Sequence, residues 1–383
     1  MAKSINLILL AKSIDGGTGT NFLALSQLKK SYPQGSLRMR NLVLEKPKFR
    51  SVKFESIHFF AAINSYPSYY TLGLKNIQIF VQELQWLKKH CKDSPPDIIL
   101  SIDMHCNILS LLLKIFFLKK IKVIATTHIF LSTTLKEKSS LILFGILKII
   151  THFLYCKADA LIAVSEGVTD DLQRTFSIKK PITTIYYGVQ QQQTAHIRHI
   201  LPSKKLKIIT VSRLVKQKDI KTLIKAFDLL HKKYKATQLT IVGDGPMKNE
   251  IQKFIEQLKL LKSVKMEGWS NSTNRFFRTS HIFVLSTFRE GLPYTLLEAM
   301  SYGLPVIATD IPAGPYEILQ NNRYGMLVPV CNEVALMNAL EQLLTNPKEY
   351  NKYSNEALKR SKYFSESKML QGYKKIIDQL AST

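Results

Sequence analysis

Cysteine is scarce and dispersed in this chain of 383 residues. The four cysteines, at positions 91, 106, 156 and 331, form no C-x-x-C pair. This spacing argues against a disulfide framework or a zinc site and is typical of a protein in a reducing cytosol. We therefore expect a cytoplasmic protein that is stabilised by a hydrophobic core.

Acidic residues are also scarce, because 28 Asp and Glu stand against 54 Lys and Arg, which gives a net charge of +26. Nucleic acid, an anionic membrane surface and phosphorylated small molecules all fit such a charge, and a solvated Lys-rich surface accounts for part of it. The basic residues are not interleaved with aromatic residues as in RNA-binding sheets. We therefore expect a phosphorylated ligand and an anionic membrane surface as partners, and no nucleic acid.

The chain has no apolar run that is long enough to span a bilayer comfortably. Its start, MAKSINLILLAKSIDGG, lacks a cleavage site of small residues, so we expect a buried strand there rather than a signal peptide. The most membrane-like stretch, SSLILFGILKIITHFLY at 139–155, is interrupted by Lys148 and His152. We predict an amphipathic core helix for this stretch, and the alternative is a helix that lies on a membrane surface.

Several catalytic signatures are missing as well. The sequence has no D-x-D pair for a metal–diphosphate bridge, no H-E-x-x-H and no G-x-S-x-G nucleophile elbow. These absences disfavour metal-dependent transfer and serine hydrolysis. We expect a site without a metal or a cofactor.

Short apolar runs alternate with helical patterns, which predicts an α/β protein with parallel sheets. Continuous Ile, Val and Leu runs are typical of strands that are covered by helices on both faces. The predicted strands are 5–11, 97–103, 122–128, 160–165, 206–212, 238–244, 265–269, 282–287, 305–310 and 325–330. Most end in Ser, Asp, Gly or His, and ligands bind beyond the carboxyl ends of parallel strands.

A polar segment divides the chain into two halves. The segment GVQQQQTAHIRHILPSKK has a glutamine run, a proline and few apolar residues, as linkers do. We predict an N-terminal domain at 1–190, a linker at 191–205, a second domain at 206–365 and a last helix at 366–383. A ligand site is expected in a cleft between the domains.

Two glycine-containing turns are candidate ligand sites. In SIDGGTGTNFLALSQL, Gly16, Gly17 and Gly19 separate a strand from a helix, where backbone N–H groups can approach an anion. The spacing matches neither G-x-G-x-x-G nor a P-loop, and a tight turn explains the glycines equally well. In IVGDGPMKNEI, the turn at Gly243 and Asp244 can pass close to a base or a ribose, but a structural turn explains it as well.

Two cations follow the first strand of the second half. Arg213 leaves the strand in VSRLVKQKDIKTLIKAF, and Lys218 comes five residues later, just before a helix. A planar guanidinium and a point charge at such a junction are suited to a diphosphate. Either residue alone is explained by a solvated basic loop, but their position at the carboxyl edge of the sheet favours a functional role.

The stretch FREGLPYTLLE at 288–298 carries two glutamates in different settings. Glu290 lies in a loop before Gly291, whereas Glu298 belongs to a mostly apolar helix, where a carboxylate is unfavourable unless it is paired or bound to a ligand. The N–H groups of Leu292 and Tyr294 at the helix start can meet an anion, and Pro293 suits the first turn. A phosphate on the helix start and a ribose at Glu298 would fit this arrangement.

Three histidines are candidates for a ligand site. His128 ends a strand, where a neutral imidazole can hold a sugar hydroxyl. His105 is less well placed, and His281 begins a strand and is expected to face away from the cleft.

The segments SRLVKQKD, VGDGP, EGW, FVLSTFREGLPYTLLEAMSYGLPVIATD and GMLVP resemble, in order and spacing, glycosyltransferase family 4. These are retaining, nucleotide-sugar-dependent enzymes of the GT-B fold. The resemblance is strong over 206–365 and looser in the first half, through GGT, TTH and ADALIAVSEGV. It implies two Rossmann-like domains with parallel sheets facing across a cleft, the donor in the second domain and the acceptor in the first, and a C-terminal helix that crosses back to the first domain.

The resemblance also implies roles for individual residues. Glu290 would contact the donor sugar near the reacting centre, with His128 near the sugar, and these are the expected catalytic residues. The expected donor-binding residues are Gly17, Arg213, Lys218, Gly243, Gly291, Leu292, Pro293, Tyr294 and Glu298. Retention would proceed by front-face attack, in which the departing phosphate oxygen takes the proton of the acceptor hydroxyl.

The segment IPAGPYEIL resembles a variant found in enzymes of envelope-polysaccharide, lipopolysaccharide and lipid-linked-glycan synthesis, many of which use UDP-sugars. We therefore expect transfer of a hexose or an N-acetylhexosamine from a UDP-sugar, by a protein on the inner face of the cytoplasmic membrane. The alternatives are an inactive donor-binding subunit and a UDP-sugar epimerase of the same fold. Three residues depart from the family pattern, Tyr187, Gln190 and His281.

Overall fold

The computed structural model describes residues 4–45, 57–60, 74–192 and 206–383. The chain forms two compact units, and the second unit is the single segment Val189–Ser365. The first unit combines Met1–Gly188 with the last residues, Glu366–Thr383. The predicted linker lies outside the described residues apart from positions 191 and 192.

The first unit is built on a sheet whose described strands are all parallel. The strands are β1 (Ile5–Ala11), β2 (Leu37–Val43), β3 (Ile57–Phe59), β4 (Ile98–Ile102), β5 (Lys122–Thr127), β6 (Ala160–Ala163) and β7 (Ile182–Thr184). Their order is β3-β2-β1-β4-β5-β6-β7. The helices of this unit are α1 (Gly16–Leu25), α2 (Leu74–Asp93), α3 (Met104–Phe116), α4 (Leu131–Lys138), α5 (Leu141–Cys156) and α6 (Glu166–Phe176), with a 3-10 turn at Ser26–Ser31.

Alternate residues of the first sheet enter two separate hydrophobic cores. Ile8 and Leu10 of β1 pack into one core, whereas Leu7 and Leu9 pack into the other. Successive side chains of a strand point to opposite faces, so a continuous apolar run is needed when helices cover both faces.

The second unit has its own parallel sheet. Its strands are β8 (Leu206–Val211), β9 (Thr237–Val242), β10 (Val264–Gly268), β11 (Ile282–Leu285), β12 (Val306–Thr309) and β13 (Met326–Val328), in the order β10-β9-β8-β11-β12-β13. The helices are α7 (Ile220–Lys233), α8 (Lys248–Gln257), α9 (Asn274–Thr279), α10 (Tyr294–Ser301), α11 (Pro315–Leu319), α12 (Glu333–Thr345) and α13 (Pro347–Ser361), with 3-10 turns at Lys216–Lys218 and Lys362–Phe364. The last helix, α14 (Glu366–Ala381), belongs to the first unit, where Met369 and Tyr373 join the core that contains Leu7.

Each sheet has one topological switch point, where the strand order reverses. The chain moves from β1 to β2 on one side and later returns to β4 on the other side of β1. The second unit repeats this order, with β8 between β9 and β11. Loops that leave neighbouring strands in opposite directions open a crevice at such a point. Ligand sites are therefore expected at the β1/β4 and β8/β11 edges.

All ten apolar runs that predict strands form strands in the structure. The α/β class with two parallel-sheet domains is confirmed. Three strands, β2, β3 and β7, were not predicted.

The prediction of a core helix at 139–155 is wrong for one face of α5. Leu141, Ile142, Ile149 and Phe153 are 87%, 80%, 70% and 56% exposed. Only Thr151, Leu154 and Tyr155 of this helix are buried. The apolar residues therefore extend further around the helix than the part of its surface that packs against the unit. Among the described residues, no helix combines the length and the apolar character that are needed to cross a membrane.

Candidate active site

The switch point of the second unit brings a cation and a carboxylate together. Lys218 ends the 3-10 turn that follows β8, and Glu290 lies in the loop that follows β11. The Lys218 Nζ pairs directly with Glu290 Oε1. The side chains are only 14% and 12% exposed, so this ion pair is screened much less than a surface pair.

Backbone and hydroxyl contacts hold the two loops in place. The N–H of Phe288 donates to the carbonyl of Gln217 at 2.9 Å, and Gln217 Nε2 donates to the carbonyl of Arg289 at 2.7 Å. The Thr287 hydroxyl lies 3.1 Å from the carbonyl oxygens of both Gln217 and Arg289. Thr287 N–H in turn donates to Thr309 Oγ1 at 3.0 Å. Buried hydrogen bonds of this kind fix the position of Glu290 before any ligand binds.

The helix after this loop begins at Tyr294, with Pro293 just before it in an extended conformation. Leu296, Leu297, Ala299 and Met300 are buried, as expected for a mostly apolar helix. Glu298 is half-buried on the same helix. As at any helix start, the first N–H groups of α10 have no carbonyl one turn back within the helix, and the helix dipole favours an anion there.

Arg213 is exposed and pairs with no carboxylate in the described part of the chain. Its guanidinium therefore remains available for an anionic ligand at the carboxyl end of β8. Lys218 and Arg213 both leave this strand end, as the sequence predicts.

The turn after β9 has a structural reason for glycine. Gly243 has a φ of +140°, and a Cβ there would lie 1.9 Å from the carbonyl oxygen of Ser212. The Gly243 N–H donates to the carbonyl of Gly268 at 2.7 Å. The structural interpretation of this turn therefore holds, and a role of Gly243 in donor binding stays a prediction.

Sequence reasoning missed a third loop at this edge. A Cβ on Gly314 would lie 2.8 Å from Pro293 Cδ and 3.2 Å from the carbonyl oxygen of Gly291. The segment before α11 therefore packs on the Glu290 loop. In the sequence, IPAGPYEIL shows a family resemblance and its Gly-Pro pair marks a turn, but neither shows what the turn contacts.

His128, in the first unit, is a neutral imidazole. Burial lowers the pKa of His128 to about 3. Its Nε2 lies 2.7 Å from Thr126 Oγ1, and its Nδ1 lies 2.7 Å from the hydroxyl of Tyr187, whose ring stacks on it. The ring is therefore uncharged at neutral pH, but Thr126 and Tyr187 occupy both of its nitrogens, so a contact of His128 with the sugar stays a prediction. Tyr187, which departs from the family pattern, is its direct partner.

The remaining candidates of the first unit are Gly17, His105 and the glycines beside Gly17. Gly17 is exposed in the first turn of α1. Gly19 is buried, and a Cβ there would lie 1.9 Å from the carbonyl oxygen of Ile14, so this position requires glycine. His105 Nε2 lies 2.7 Å from the buried carboxylate of Glu83. The donor-contacting role of Gly17 stays a prediction.

Comparison with known structures establishes the fold class. HepE from Anabaena, solved in complex with UDP and glucose, matches with a TM-score of 0.74 at 16% identity, over 98% of this chain and 99% of that chain. Sucrose-phosphate synthase from Thermosynechococcus elongatus matches with a TM-score of 0.79 at 17% identity, over 98% and 99% of the two chains. The fold is that of the GT-B glycosyltransferases, with two Rossmann-like, parallel-sheet domains.

The sequence of this chain also matches two models of glycosyltransferase families. Residues 46–193 match the model described as Glycosyltransferase Family 4, and residues 191–360 match the model described as Glycosyl transferases group 1. The chain belongs to this family of glycosyltransferases.

Several curated proteins are similar to this chain. The N-acetylgalactosamine-N,N'-diacetylbacillosaminyl-diphospho-undecaprenol 4-alpha-N-acetylgalactosaminyltransferase of Campylobacter jejuni is 29% identical over 224 residues, which are 58% of this chain and 60% of that protein. The amylovoran biosynthesis glycosyltransferase AmsD of Erwinia amylovora is 24% identical over 293 residues, 76% of this chain and 80% of that protein. An uncharacterized glycosyltransferase of Methanocaldococcus jannaschii, 31% identical, is matched over 44% of this chain and only 49% of its own length. The chain thus spans about half to two thirds of several curated relatives.

Proposed function

We propose that this protein transfers a hexose or an N-acetylhexosamine from a UDP-sugar to a lipid-linked or surface-polysaccharide glycan. The observation that carries the proposal is the contact of Lys218 with Glu290 at the β8/β11 switch point. Arg213 is exposed after the same strand, β8. Family membership supports glycosyl transfer. Two relatives are named for a lipid-linked glycan and for amylovoran, and HepE was solved with UDP and glucose.

In this proposal the donor lies along the carboxyl edge of the second sheet. Arg213 and Lys218 bind the diphosphate, and the N–H groups at the start of α10, from Leu292 to Tyr294, bind one phosphate. Glu298, one turn further along the helix, accepts hydrogen bonds from the ribose hydroxyls. Glu290 contacts the sugar, because its carboxylate lies beside the lysine that holds the diphosphate.

The chemistry we propose retains the configuration of the sugar. The acceptor oxygen attacks the anomeric carbon on the face from which the diphosphate departs, and the leaving phosphate oxygen takes the acceptor proton. Positive charge on Arg213 and Lys218 stabilises the developing diphosphate, so this step needs no metal ion. Glu290 orients the sugar and stabilises the positive charge that develops on its ring.

A thermal-shift screen of UDP, GDP and ADP tests donor binding. We expect UDP to give the largest rise in Tm, because a ligand that binds only the folded state stabilises it. Lys218→Met should reduce the shift to less than half, whereas the matched variant Lys221→Met, three residues further on and paired with Glu250, should keep it. Equal shifts in the two variants would exclude Lys218 from the diphosphate site. UDP binding without transfer to any acceptor would favour an inactive subunit.

We also propose that the protein associates with an anionic membrane through the apolar face of α5. This face consists of the exposed side chains Leu141, Ile142, Ile146, Ile149, Ile150 and Phe153. They recur at helical spacing and form a stripe along one side of the helix. A basic side chain lies at one end of it, since Lys157 Nζ lies 5.3 Å from the ring of Phe153. An apolar stripe with a lysine beside it, on a protein with a net charge of +26, suits a surface of anionic lipid.

Flotation with lipid vesicles tests this membrane surface. The protein should bind vesicles that contain phosphatidylglycerol, and binding should weaken about tenfold on neutral phosphatidylcholine, because the basic surface loses its anionic partners. Ile149→Asp with Phe153→Asp should reduce binding at least tenfold. The matched variant Leu261→Asp, at a residue 58% exposed in the second unit, should bind like the wild type. Unchanged binding of the α5 variant would refute the assignment.

A further inference from the structure

The turn between α3 and β5 leaves two adjacent aromatic side chains exposed. Phe116 is 67% exposed and Phe117 is 44% exposed, at the point where α3 ends. Lys119 and Lys120 follow and are exposed as well. We call residues 116–120, FFLKK, the Phe loop. Because it leads into the first residue of β5, it lies at the amino edge of the first sheet, opposite the carboxyl edge where ligands of parallel sheets bind.

Hydrogen bonds and buried neighbours fix the Phe loop. The N–H groups of Phe117 and Leu118 both donate to the carbonyl of Leu113, at 3.0 and 2.9 Å. The N–H of Ile121 donates to the carbonyl of Leu118 at 3.2 Å. Ile121 is buried, and Leu118 packs against the core that contains Leu113. The turn therefore buries its aliphatic side chains and displays its aromatic ones, and adjacent apolar side chains that a fixed turn keeps in solvent mark an interaction surface.

Lysines surround the exposed rings. Lys88 of α2 reaches over Phe117, with its Nζ 3.9 Å from the centre of the ring. The segment 114–122, KIFFLKKIK, has four lysines and no acidic residue. Among the residues that the structure describes, no carboxylate pairs with Lys119 or Lys120. These charges are therefore available to an anionic partner.

An anionic membrane is the partner that fits both features. Apolar rings beside lysines are typical of protein surfaces that lie in the boundary between lipid headgroups and acyl chains. Two rings that project from a turn can enter a fluid lipid layer without a matching pocket, whereas an acidic protein would need one. The Phe loop also follows α3, whose Leu109 and Leu113 share a core with Leu154 and Tyr155 of α5. The Phe loop and the apolar face of α5 thus belong to the same layer of helices.

We propose that the Phe loop is the part of the first unit that recognises the negative charge of the membrane. Phe116 and Phe117 enter the boundary below the headgroups, and Lys88, Lys119 and Lys120 bind the lipid phosphates. The inference rests on the membrane association proposed for α5 and adds how the two surfaces differ. Because α5 contains a single lysine, its stripe binds the apolar part of any bilayer, whereas the Phe loop makes binding selective for anionic lipid.

The test is flotation of the full-length protein with vesicles of phosphatidylcholine, either alone or mixed with phosphatidylglycerol. Lys119→Gln with Lys120→Gln should weaken binding to the anionic vesicles about tenfold, to the level on neutral vesicles, since each lysine near an anionic surface contributes up to about fivefold. The same variant should bind neutral vesicles like the wild type. Phe116→Ser with Phe117→Ser should weaken binding to both kinds of vesicle by about fivefold or more, because both contain acyl chains.

The matched control is Lys29→Gln with Lys30→Gln. These two lysines are also adjacent and exposed in the first unit, but Leu28 of the same turn packs into the core on the other face of the sheet. This variant changes the net charge by the same amount and should bind both kinds of vesicle like the wild type. An equal loss in the control would show that only the overall charge matters, which would overturn the inference.

Insertion of the ring is measured separately with Phe116→Trp. On anionic vesicles its fluorescence should shift to shorter wavelength than that of the wild type and be quenched by lipids that carry a nitroxide on the acyl chain. The inference is overturned if this tryptophan is not quenched, or if the Lys119 and Lys120 variant keeps its preference for anionic lipid. Loss of binding in the α5 variant alone would overturn it too and leave the α5 assignment standing. Loss in the Phe loop variants alone would support it and refute the assignment of α5.

Discussion

Glu290→Gln is expected to lower sugar transfer about a hundred- to a thousandfold, while UDP binds as tightly as before or more tightly. The loss follows because the amide keeps the shape of the side chain but removes the charge that faces the reacting sugar. Binding persists because Lys218 loses the carboxylate with which it is paired and gains freedom to contact the diphosphate. The measurements are the transfer of radiolabelled sugar from the UDP-sugar and calorimetric titration with UDP.

The matched control for this prediction is Glu341→Gln. Glu341 is a half-buried, ion-paired glutamate of the second unit, held by Lys233 and by the hydroxyl of Tyr234. Its replacement should leave both transfer and UDP binding unchanged. Full transfer activity in Glu290→Gln would remove Glu290 from the catalytic centre, and a loss of UDP binding would show that it acts on the nucleotide instead. Only the combination of lost transfer and retained binding supports the proposed role.

Gly243→Ala is expected to destabilise the second unit by about 3 kcal/mol or more. The added Cβ would meet the carbonyl oxygen of Ser212 at 1.9 Å, and the φ of +140° is one that L side chains rarely adopt. To relieve the clash, β9 must separate from the turn that carries Arg213, so UDP binding should fall as well. Urea unfolding followed by circular dichroism, with and without UDP, measures both effects.

Gly268→Ala separates the two causes of that instability. Gly268 also has a positive φ, of +71°, but a Cβ there meets nothing within 4 Å. Its replacement should therefore lower stability by only about 1–2 kcal/mol, which is the conformational term alone. If the two variants were equally stable, the contact of the added Cβ with Ser212 would not contribute to the instability of Gly243→Ala.

The strands could be predicted because buried parallel strands need apolar residues on both faces. β2 escaped prediction because Arg38 and Arg40 interrupt the continuous apolar run by which the other strands were recognised, and Arg38 is exposed. β3 and β7 are only three residues long, which is too short for a pattern to develop. The length of α5 was predicted, but its exposed face was not, because apolar periodicity does not show how much surface covers a helix.

The residues of the candidate site could be predicted from their positions after strands, but the contacts between them could not. Arg213, Lys218 and Glu290 stand out because each follows a strand. The pairing of Lys218 with Glu290 depends on β8 lying next to β11, although the two residues are 72 positions apart along the chain. Local sequence carries no direct information about such a neighbour.

His281 shows how a departure from a family pattern can keep the same physical role. Its Nδ1 accepts the N–H of Lys207 at 3.0 Å, beside the start of β8. In the first unit Asp97 accepts the N–H of Asn6 at 2.8 Å, and Asp159 accepts the N–H of Val123 at 2.6 Å. Each of these residues precedes a strand and satisfies a backbone donor of the neighbouring strand. The imidazole of His281 thus accepts a backbone N–H as the carboxylates of Asp97 and Asp159 do, away from the carboxyl edge where ligands are expected.

The discontinuous first unit has a consequence for how the chain is made. Met369, Tyr373, Ile376 and Ile377 of α14 complete a core that otherwise consists of residues from the first half. On the ribosome, that core stays open until the codons of α14 have been read. The second unit is a single segment that ends at Ser365, so all of its residues are synthesised earlier. Because domains fold as units during synthesis, the C-terminal half can reach its native state before the N-terminal half, which reverses the usual order.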